Sequence, residues 1–220
     1  MRPQVTAGSY AIDATEVTKG QYAAFVQAKA GNVSGQPAVC AWNTTFQPTQ
    51  EWPPSVGDYD MPVGWVDWCD AFAYCASAGR RLCGKIGGGS NVLDDYANPA
   101  LSQWMGACVG PSNFGFPYGN TFDPTRCNSS GSGAPVAAGK LTGCVGGYPG
   151  LFDMSGNLME WEDSCLVVGT TGNTDLCRNR GGSFVSTRDD ASGIFARCDT
   201  NNNNARSLTD SSLGFRCCGL

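Results

Sequence analysis

The chain has 220 residues, of which 41% are hydrophobic and only 15% charged, with 30 glycines and 12 prolines. This length allows one large domain, and the composition predicts a packed, loop-rich fold with few long helices. The net charge of −5, without a cluster of lysine and arginine, argues against nucleic acid and anionic membranes as partners. No run approaches the roughly 18 apolar residues of a membrane span.

Twelve cysteines and no histidine limit the possible chemistry. An even number of cysteines spread along the chain predicts disulfides and an oxidising location, which means secreted, periplasmic or cell-surface. Zinc is the competing interpretation, but there is no CxxC pair, and the adjacent Cys217 and Cys218 lack the usual ligand spacing. Without histidine there is no Ser-His-Asp triad and no His-ligated zinc or iron. The first ten residues lack the apolar core of a signal peptide, so we expect a leader to have been removed.

The first elements follow from local patterns. Residues 10–13 are predicted to be extended, and residues 19–30 are predicted to form a helix that Gly31 ends. Thr15 or Thr18 would cap this helix. Its apolar face would hold Tyr22, Phe25 and Val26.

A long ordered loop and a second helix are predicted next. Residues 32–62 contain five prolines but also aromatic anchors, which a flexible linker would not carry. Asp67 would cap the helix that follows, and Gly79 would end it. Phe72, Cys75 and Ala76 share one face of this helix.

A third helix is predicted over residues 98–108, with Pro99 in its first turn. From residue 109 onward, short segments alternate with Gly, Asn and Pro turns, as in irregular β structure. We predict that the tryptophans lie in the core and that several arginines hold loops through bonds to carboxylates and carbonyls. Those arginines are Arg180, Arg197, Arg206 and Arg216, whereas Arg188, Asp189 and Asp190 are predicted to form a solvated turn.

Residues 151–164, LFDMSGNLMEWEDS, place Asp153 and Glu160 inside an apolar run that also contains a Ser-Gly-Asn turn. Burying an unpaired charge costs several kcal/mol, so these carboxylates need compensation. A bound cation, a surface hairpin and a catalytic acid pair are the three candidates.

Five segments in the same order resemble the formylglycine-generating enzyme (sulfatase-modifying factor) family. They are AIDATEVTKGQYAAFV, MPVGWVDWCDAFAYCASAGRRL, FPYGN, GLFDMSGNLMEW and RGGSF…ARC…LGFRC, and they extend from about Tyr10 to Cys217. The resemblance implies an α+β fold, a single irregular, loop-rich C-type-lectin-like domain over residues 1–220. Such a domain has few helices, short antiparallel strands and, here, multiple disulfides.

The resemblance also implies a structural calcium site in residues 153–160. Its ligands would be the Asp153 side chain, the Gly156 and Leu158 carbonyls, and Glu160. Mixed carboxylate and carbonyl oxygens are the hard ligands that calcium prefers. A plain hairpin turn with exposed acids is the alternative.

Disulfide pairings are predicted on two grounds. The resemblance implies Cys75–Cys217 and Cys108–Cys198, each of which would constrain a long loop of the unfolded chain. Closeness in sequence suggests two further bonds and leaves four cysteines to pair among themselves: the bonds are Cys165–Cys177 and Cys127–Cys144, and the remaining cysteines are Cys40, Cys69, Cys83 and Cys218.

The resemblance implies an activity that the sequence does not support. In the family's enzymes, copper(I) binds one thiolate three residues after GGS and another five residues further on. The matching positions are Ser186 and Ala191, or Ser192 or Gly193 under a different placement, and none is cysteine. Serine is a poor ligand for copper(I), so no copper is expected. We therefore predict a non-catalytic domain, and the alternative is an oxidase that converts a substrate cysteine to formylglycine.

The C-terminal region offers candidate ligand-binding residues. Asparagines present donors and acceptors that suit sugar or peptide recognition, although asparagine runs are more often solvated loops. This region also resembles the variable face of C-type-lectin-fold proteins diversified by retroelements. The predicted partners are a glycan or protein ligand at the cell surface, or copies of the chain itself in an extracellular assembly. The candidate residues are Asn201, Asn202, Asn203, Asn204 and Arg206.

Overall fold

A computed structural model of the chain describes residues 3–129, 131–186 and 193–219. These residues form three α-helices, several single turns of 3-10 helix, and ten short strands. The helices are α1 (Lys19–Lys29), α2 (Trp68–Ser77) and α3 (Gln103–Val109). The strands are β1 (Gln4–Ala7), β2 (Tyr10–Asp13), β3 (Arg81–Leu82), β4 (Val145–Gly146), β5 (Tyr148–Phe152), β6 (Met159–Leu166), β7 (Leu176–Arg180), β8 (Asn202–Ala205), β9 (Leu213–Phe215) and β10 (Cys217–Cys218).

The strands form three small sheets, which matches the predicted α+β architecture. Their orders are β1-β2-β10-β3, β4-β5 and β8-β7-β6-β9. β6 pairs antiparallel with β7 and parallel with β9, and the other pairings are antiparallel. Strand β9 lies in one four-stranded sheet, and β10 lies in the other, next to the N-terminal hairpin of β1 and β2. The last described residues therefore connect the two four-stranded sheets.

Helix α1 begins where the sequence predicts. Thr18, rather than Thr15, is the cap: its side chain accepts from the Gln21 backbone N–H, and the Gln21 side chain accepts from the Thr18 N–H. Such a reciprocal capping box satisfies two backbone donors that would otherwise lack partners. The helix ends one residue earlier than predicted, because Ala30 already adopts a left-handed conformation with φ of 47°.

Helix α2 is capped by Asp67 as predicted, but its buried face differs from the expected one. Phe72 is half-buried and Ala76 is exposed. Tyr74 stacks on Tyr22 of α1 with a centroid distance of 5.6 Å, and this contact fixes which side of the helix faces inward. The buried residues are Trp68, Cys69, Asp70, Ala71, Tyr74 and Cys75.

The prediction for α3 was wrong at its start. The helix begins at Gln103, and Pro99 lies in the loop before it. Ser102 is the cap, since its hydroxyl accepts from the Met105 N–H at 3.0 Å. The Asn98 side chain instead accepts from the Ala100 N–H, which forms a local turn that competes with a helix.

All twelve cysteines are described, and each lies in a disulfide. Three of the bonds join residues 90 to 142 positions apart, whereas Cys165–Cys177 links paired residues of β6 and β7. The six disulfides are Cys40–Cys69, Cys75–Cys217, Cys83–Cys218, Cys108–Cys198, Cys127–Cys144 and Cys165–Cys177.

Among the described residues, no helix is long and apolar enough to cross a bilayer.

Two hydrophobic clusters make up the core. One joins α1 and α2 to β9, where Tyr22 and Tyr74 pack edge-on against Phe215. The other joins α3 to β2 and contains Ile12 and Trp104, both without exposed surface. Strand β6 passes close to both clusters, and the polar side chains that it carries are the centre of the site.

Candidate functional site

Strand β6 carries two buried glutamates, Glu160 and Glu162, two residues apart. Glu160 is held by Arg216, which follows β9. The guanidinium Nη2 donates to Oε1 at 2.6 Å, and Nε donates to Oε2 at 2.7 Å. Trp104 Nε1 also donates to Oε2, at 2.8 Å. Both oxygens of Glu160 therefore accept hydrogen bonds inside the protein.

Two further carboxylates lie near this ion pair. Glu16 accepts from the Leu158 N–H at 3.0 Å, and Asp153 accepts from the Gly139 N–H at 2.6 Å. Burial raises the pKa of Asp153 to about 6, and burial followed by the charges of Asp153 and Glu160 raises the pKa of Glu16 well above its usual range. We call Glu16, Asp153, Glu160 and Arg216 the acid-rich cluster.

The acid-rich cluster contains both predicted calcium-binding side chains, Asp153 and Glu160, each within electrostatic reach of Arg216. Arg216 already neutralises Glu160 through its two nitrogens. No group of three or more histidine, cysteine, aspartate or glutamate side chains within the described part of the chain has metal-binding geometry. A calcium cage closed by Glu160 would need Arg216 to give up part of this bond. Calcium binding by Asp153, Gly156, Leu158 and Glu160 stays a prediction.

Glu162 has different neighbours. Its Oε2 accepts from Arg180 Nε at 2.7 Å, and its Oε1 accepts from the Ser102 hydroxyl at 2.5 Å. Arg178 lies on the same strand as Arg180, and its pKa falls to about 10 because of burial and the charge of Arg180. Arg180 Nη1 and Arg178 Nε lack hydrogen-bond partners among the described residues. We call Glu162, Arg178 and Arg180 the base-rich cluster.

A mostly apolar cavity of about 190 Å³ lies beside Ser186, and we call it the serine cavity. Met159, Val185 and Phe195 provide its apolar lining, and Ser183, Asn179 and Asn202 are also on its wall. Val185 is 52% exposed and Phe195 49%, which is unusual for large apolar side chains in one place.

Asn179 is the most unusual residue of the serine cavity. It has no exposed surface, and its Oδ1 accepts from Asn202 Nδ2 at 2.6 Å. Its Nδ2 lacks a hydrogen-bond partner within the described part of the chain. Buried donors are nearly always bonded, so an unpaired amide on a cavity wall indicates a position where a ligand or water accepts.

Ser186, the first position that matches a copper ligand of the family, lies on the wall of this cavity. Ser186 and Ser183 form a tight turn, in which the Ser183 N–H donates to Ser186 Oγ at 2.8 Å and the Ser186 N–H donates to the Ser183 carbonyl at 2.9 Å. Gly193 precedes a single 3-10 turn and has a φ of 64°. The other predicted positions lie outside the described residues, as does the predicted solvated turn: Ala191 and Ser192, and Arg188, Asp189 and Asp190.

The asparagine run is a strand rather than the predicted loop. Asn202, Asn203 and Asn204 belong to β8, at the edge of a sheet, and all three are half-buried. Asn202 lines the serine cavity, whereas Asn201 bonds Arg178 and lines a neighbouring hollow. Pairing with β7 decides this conformation, and four identical residues carry no alternation that would have predicted a strand.

Arg206 does not join the asparagines. It forms an ion pair with Asp175 at 3.2 Å and lies over the ring of Trp68 at 4.7 Å, at a different cavity. The sequence also did not single out Glu16, Glu162 or Asn179. The spacing of Glu162 from Glu160, which places both on one side of an extended strand, is the only local signal that indicates it.

The chain matches known proteins in both sequence and structure. The sulfatase-modifying factor enzyme 1-like domain matches residues 2–219. The inactive C-alpha-formylglycine-generating enzyme 2 of Mus musculus is 31% identical over 169 residues, which cover 72% of this chain and 49% of that protein. The formylglycine-generating enzyme of Mus musculus is 28% identical over 180 residues, covering 71% and 43%. The chain thus spans about half the length of the curated relatives it matches, or somewhat less.

Solved structures share the fold at lower identity. CarF has a TM-score of 0.61 at 20% identity, covering 96% of this chain and 85% of that chain. PvdO from Pseudomonas aeruginosa has a TM-score of 0.60 at 19% identity, covering 95% and 79%. Treponema denticola variable protein 1 has a TM-score of 0.59 at 19% identity, covering 96% and 84%. At these identities the likeness concerns the fold alone, and it agrees with the architecture described above.

Sequence and structure lead to one family. The match covers nearly the whole chain. The segments that carry the resemblance contain the Cys75–Cys217 disulfide and all four residues of the acid-rich cluster. The chain belongs to the sulfatase-modifying factor enzyme 1-like domain family.

Proposed function

We propose that the chain is a non-catalytic binding domain of an exported protein. We further propose that the serine cavity takes one apolar side chain of an extended protein segment. The observation that carries the proposal is the cavity itself, where exposed apolar side chains surround Asn179, whose Nδ2 has no partner among the described residues.

The size and lining of the cavity favour part of a large ligand over a whole small molecule. Its volume of about 190 Å³ is below the roughly 300–1,000 Å³ usual for small-molecule sites. Met159, Val185 and Phe195 suit an apolar side chain, and the amides of Asn179 and Asn202 on the same wall are the groups that would bond a backbone amide beside it. Strand β8 lies at the sheet edge next to the cavity, which suits an extended segment.

Three observations support a role without catalysis. Ser186 occupies the first copper position, and serine is a poor ligand for copper(I). All twelve cysteines lie in disulfides, so none is free to provide a thiolate. One of the relatives is named as inactive, although the whole-protein activities of relatives twice as long carry over only as proposals.

The disulfides and the family indicate an oxidising compartment. We propose a secreted, periplasmic or cell-surface location, where a partner would be a protein on a cell surface or another copy of the chain. A glycan ligand is less favoured, because the lining that would receive it is largely apolar.

A peptide-display selection against the immobilised chain tests this function. We expect enriched peptides to share an apolar anchor residue and to lose binding to Phe195→Asp. The matched control is Val56→Asp, which changes another exposed apolar residue, 79% exposed and away from the serine cavity, and should bind like the wild type.

Other outcomes of these binding and activity assays would contradict or refine the proposed function. Binding only on a glycan array, or loss of selected peptides with both variants, would contradict the peptide proposal. Concentration-dependent self-association that Phe195→Asp abolishes would identify the ligand as another copy. Conversion of a cysteine peptide to formylglycine by the copper-loaded chain would overturn the non-catalytic role.

A further inference from the structure

A second cavity, of about 320 Å³, lies where α2 meets β6 and the end of β8, and we call it the tryptophan cavity. Trp68, Phe72, Asp163 and Arg206 line it together with exposed Val167. It shares no lining residue with the serine cavity. Unlike that cavity, it is large enough for a whole small molecule.

Arg206 provides a buried cation on its wall. The residue is 4% exposed, and its Nη2 pairs with Asp175 at 3.2 Å while its Nε donates to Cys177 Sγ at 3.5 Å. Its Nη1 has no hydrogen-bond partner among the described residues. A buried guanidinium nitrogen without an acceptor is rare, and a carboxylate is the group that guanidinium recognises best.

Asp163 provides an anion on the same wall. The Asp163 N–H donates to the Cys83 carbonyl at 2.7 Å, and Ser90 Oγ donates to its Oδ1 at 2.7 Å, so the carboxylate is held in place. Asp163 is 8% exposed, and it lies within electrostatic reach of both Arg206 and Arg81. An ammonium group is the natural partner for a second bond to this carboxylate.

The charges around the cavity are balanced. Arg206 is accompanied by Asp175, and Arg81 by Asp163. A ligand with a net charge would add an uncompensated charge to a largely buried place, which is costly. A zwitterion adds one charge of each sign and leaves the balance unchanged.

The remaining wall is aromatic and rigid. Trp68 and Phe72 stack with centroids 5.0 Å apart at an interplanar angle of 22°, and Trp68 Nε1 donates to the Glu162 carbonyl at 2.9 Å. Phe72 is half-buried, so part of the wall is open to a ligand. Such a surface favours aromatic or branched apolar groups.

We propose that the tryptophan cavity binds a free α-amino acid with an aromatic or branched apolar side chain. The ligand carboxylate accepts from Arg206, the ammonium donates to Asp163, and the side chain packs on Phe72 and Val167 beside Trp68. This inference is independent of the serine cavity and of its proposed peptide ligand.

Isothermal titration of the chain with L-phenylalanine, L-tryptophan and L-leucine tests the proposal. We expect saturable binding of at least one of them. Phenylalaninamide lacks the carboxylate and N-acetylphenylalanine lacks the ammonium, so we expect each to bind at least about tenfold more weakly than phenylalanine. No saturable binding of any of the three amino acids, or binding of either derivative as tightly as phenylalanine, would overturn the proposal.

Surface variants locate the site without disturbing the core. Val167→Trp places a large side chain on the wall at a residue that is 69% exposed, and it should reduce amino-acid affinity by at least about tenfold. The control Val168→Trp changes the next residue, 51% exposed and outside the cavity lining, and should bind like the wild type. If Val167→Trp keeps full affinity, or both variants lose it equally, the site is not the tryptophan cavity.

The variant Asp163→Asn tests whether Asp163 recognises the ammonium group of the ligand. It keeps the size of the side chain and removes its charge, so free and N-acetylated phenylalanine should bind this variant about equally. If the variant still prefers the free amino acid as strongly as the wild type does, the ammonium does not contact Asp163, and the proposed binding mode is wrong.

Discussion

Glu160 and Glu162 are two residues apart on one strand, and both are buried and paired with an arginine, yet their surroundings are opposite. Near Glu160, the carboxylates of Glu16 and Asp153 share the single guanidinium of Arg216. Near Glu162, two guanidinium groups face one carboxylate. The acid-rich and base-rich clusters thus lie side by side, each with one residue of the minority charge.

This difference indicates which residue of each cluster contributes most to the stability of the folded chain. Removing one of several like charges leaves the others to compensate, whereas removing the minority charge leaves buried charges of one sign unpaired. Arg216 is the minority charge in the acid-rich cluster, and Glu162 is that charge in the base-rich cluster. The predictions below rank these residues by their effect on stability.

The largest effect is expected for Arg216→Met. This change removes the only guanidinium of the acid-rich cluster and should lower the free energy of unfolding by roughly 3–5 kcal/mol, measured by urea denaturation. Glu160→Gln is the matched control and should cost only about 1 kcal/mol, because Glu16 and Asp153 remain near Arg216. Equal costs for the two variants would contradict the minority-charge argument.

A smaller effect is expected for Glu162→Gln in the base-rich cluster. Arg180 would lose its carboxylate next to Arg178, but its Nη2 still donates to the Tyr96 carbonyl at 2.7 Å. We expect a loss of about 2–3 kcal/mol in the same assay. Arg178→Met, which removes one of two like charges, should cost less than Glu162→Gln, and the reverse order would show that the clusters do not differ as described.

Local sequence predicted the parts of the fold that depend on neighbouring residues. Thr18 and Asp67 cap their helices through bonds to backbone atoms three residues away, so the pattern was visible in the sequence. The start of α3 was missed, because the Asn98 turn and the Ser102 cap compete with a helix beginning at Pro99. Helix starts of this kind depend on which of two local interactions forms.

The polar clusters could not be predicted in the same way, because their partners are far apart in sequence. Glu160 lies 56 residues from Arg216, and Glu16 lies 142 residues from Leu158. The resemblance placed Asp153 and Glu160 together, and the sequence predicted that Arg216 bonds carboxylates and carbonyls, but neither indicated that its carboxylate partner would be Glu160. The open Nδ2 of Asn179 likewise depends on tertiary packing, since the cavity beside it is lined by residues of β6 and β8, of the loop after β7 and of the segment from Phe195 to Thr200.

The pH dependence of stability distinguishes the two clusters further. Burial raises the pKa of Asp153 from 3.8 to about 6, and the pKa of Glu16 is also raised. Between pH 4 and pH 6 the folded chain therefore holds more protons than the unfolded chain, so stability falls as the pH rises through this window. We expect a loss of about 2 kcal/mol, measured by urea denaturation at several pH values.

Single variants identify the source of this loss. Asp153→Asn and Glu16→Gln should each flatten the profile, because the amide has no proton to lose. Exposed Asp123, whose pKa is lowered mainly by its bonds to Thr125, is the control, and Asp123→Asn should keep the wild-type slope between pH 4 and pH 6. Stability that rises over this window in the wild type would contradict the prediction.

The smallest expected effect concerns calcium. The sequence predicts a calcium site at Asp153 and Glu160, and in the structure Glu160 forms an ion pair with Arg216. A calcium ion and the guanidinium of Arg216 would therefore compete for the Glu160 carboxylate. Calcium that binds only the folded chain would stabilise it by about 1.4 kcal/mol at a concentration tenfold above its dissociation constant.

In the wild type, we expect a chelator to lower the melting temperature only slightly, because Arg216 already neutralises Glu160. In Arg216→Met, where that competition is gone, added calcium should raise the melting temperature clearly, and magnesium should do so less, because it fits a mixed carbonyl and carboxylate cage poorly. Glu160→Gln should abolish the response in both backgrounds. A wild-type chain that loses as much stability to the chelator as to Arg216→Met would mean that calcium, rather than Arg216, balances the acid-rich cluster. No calcium response in either background would mean that the cage implied by the family does not form in this chain.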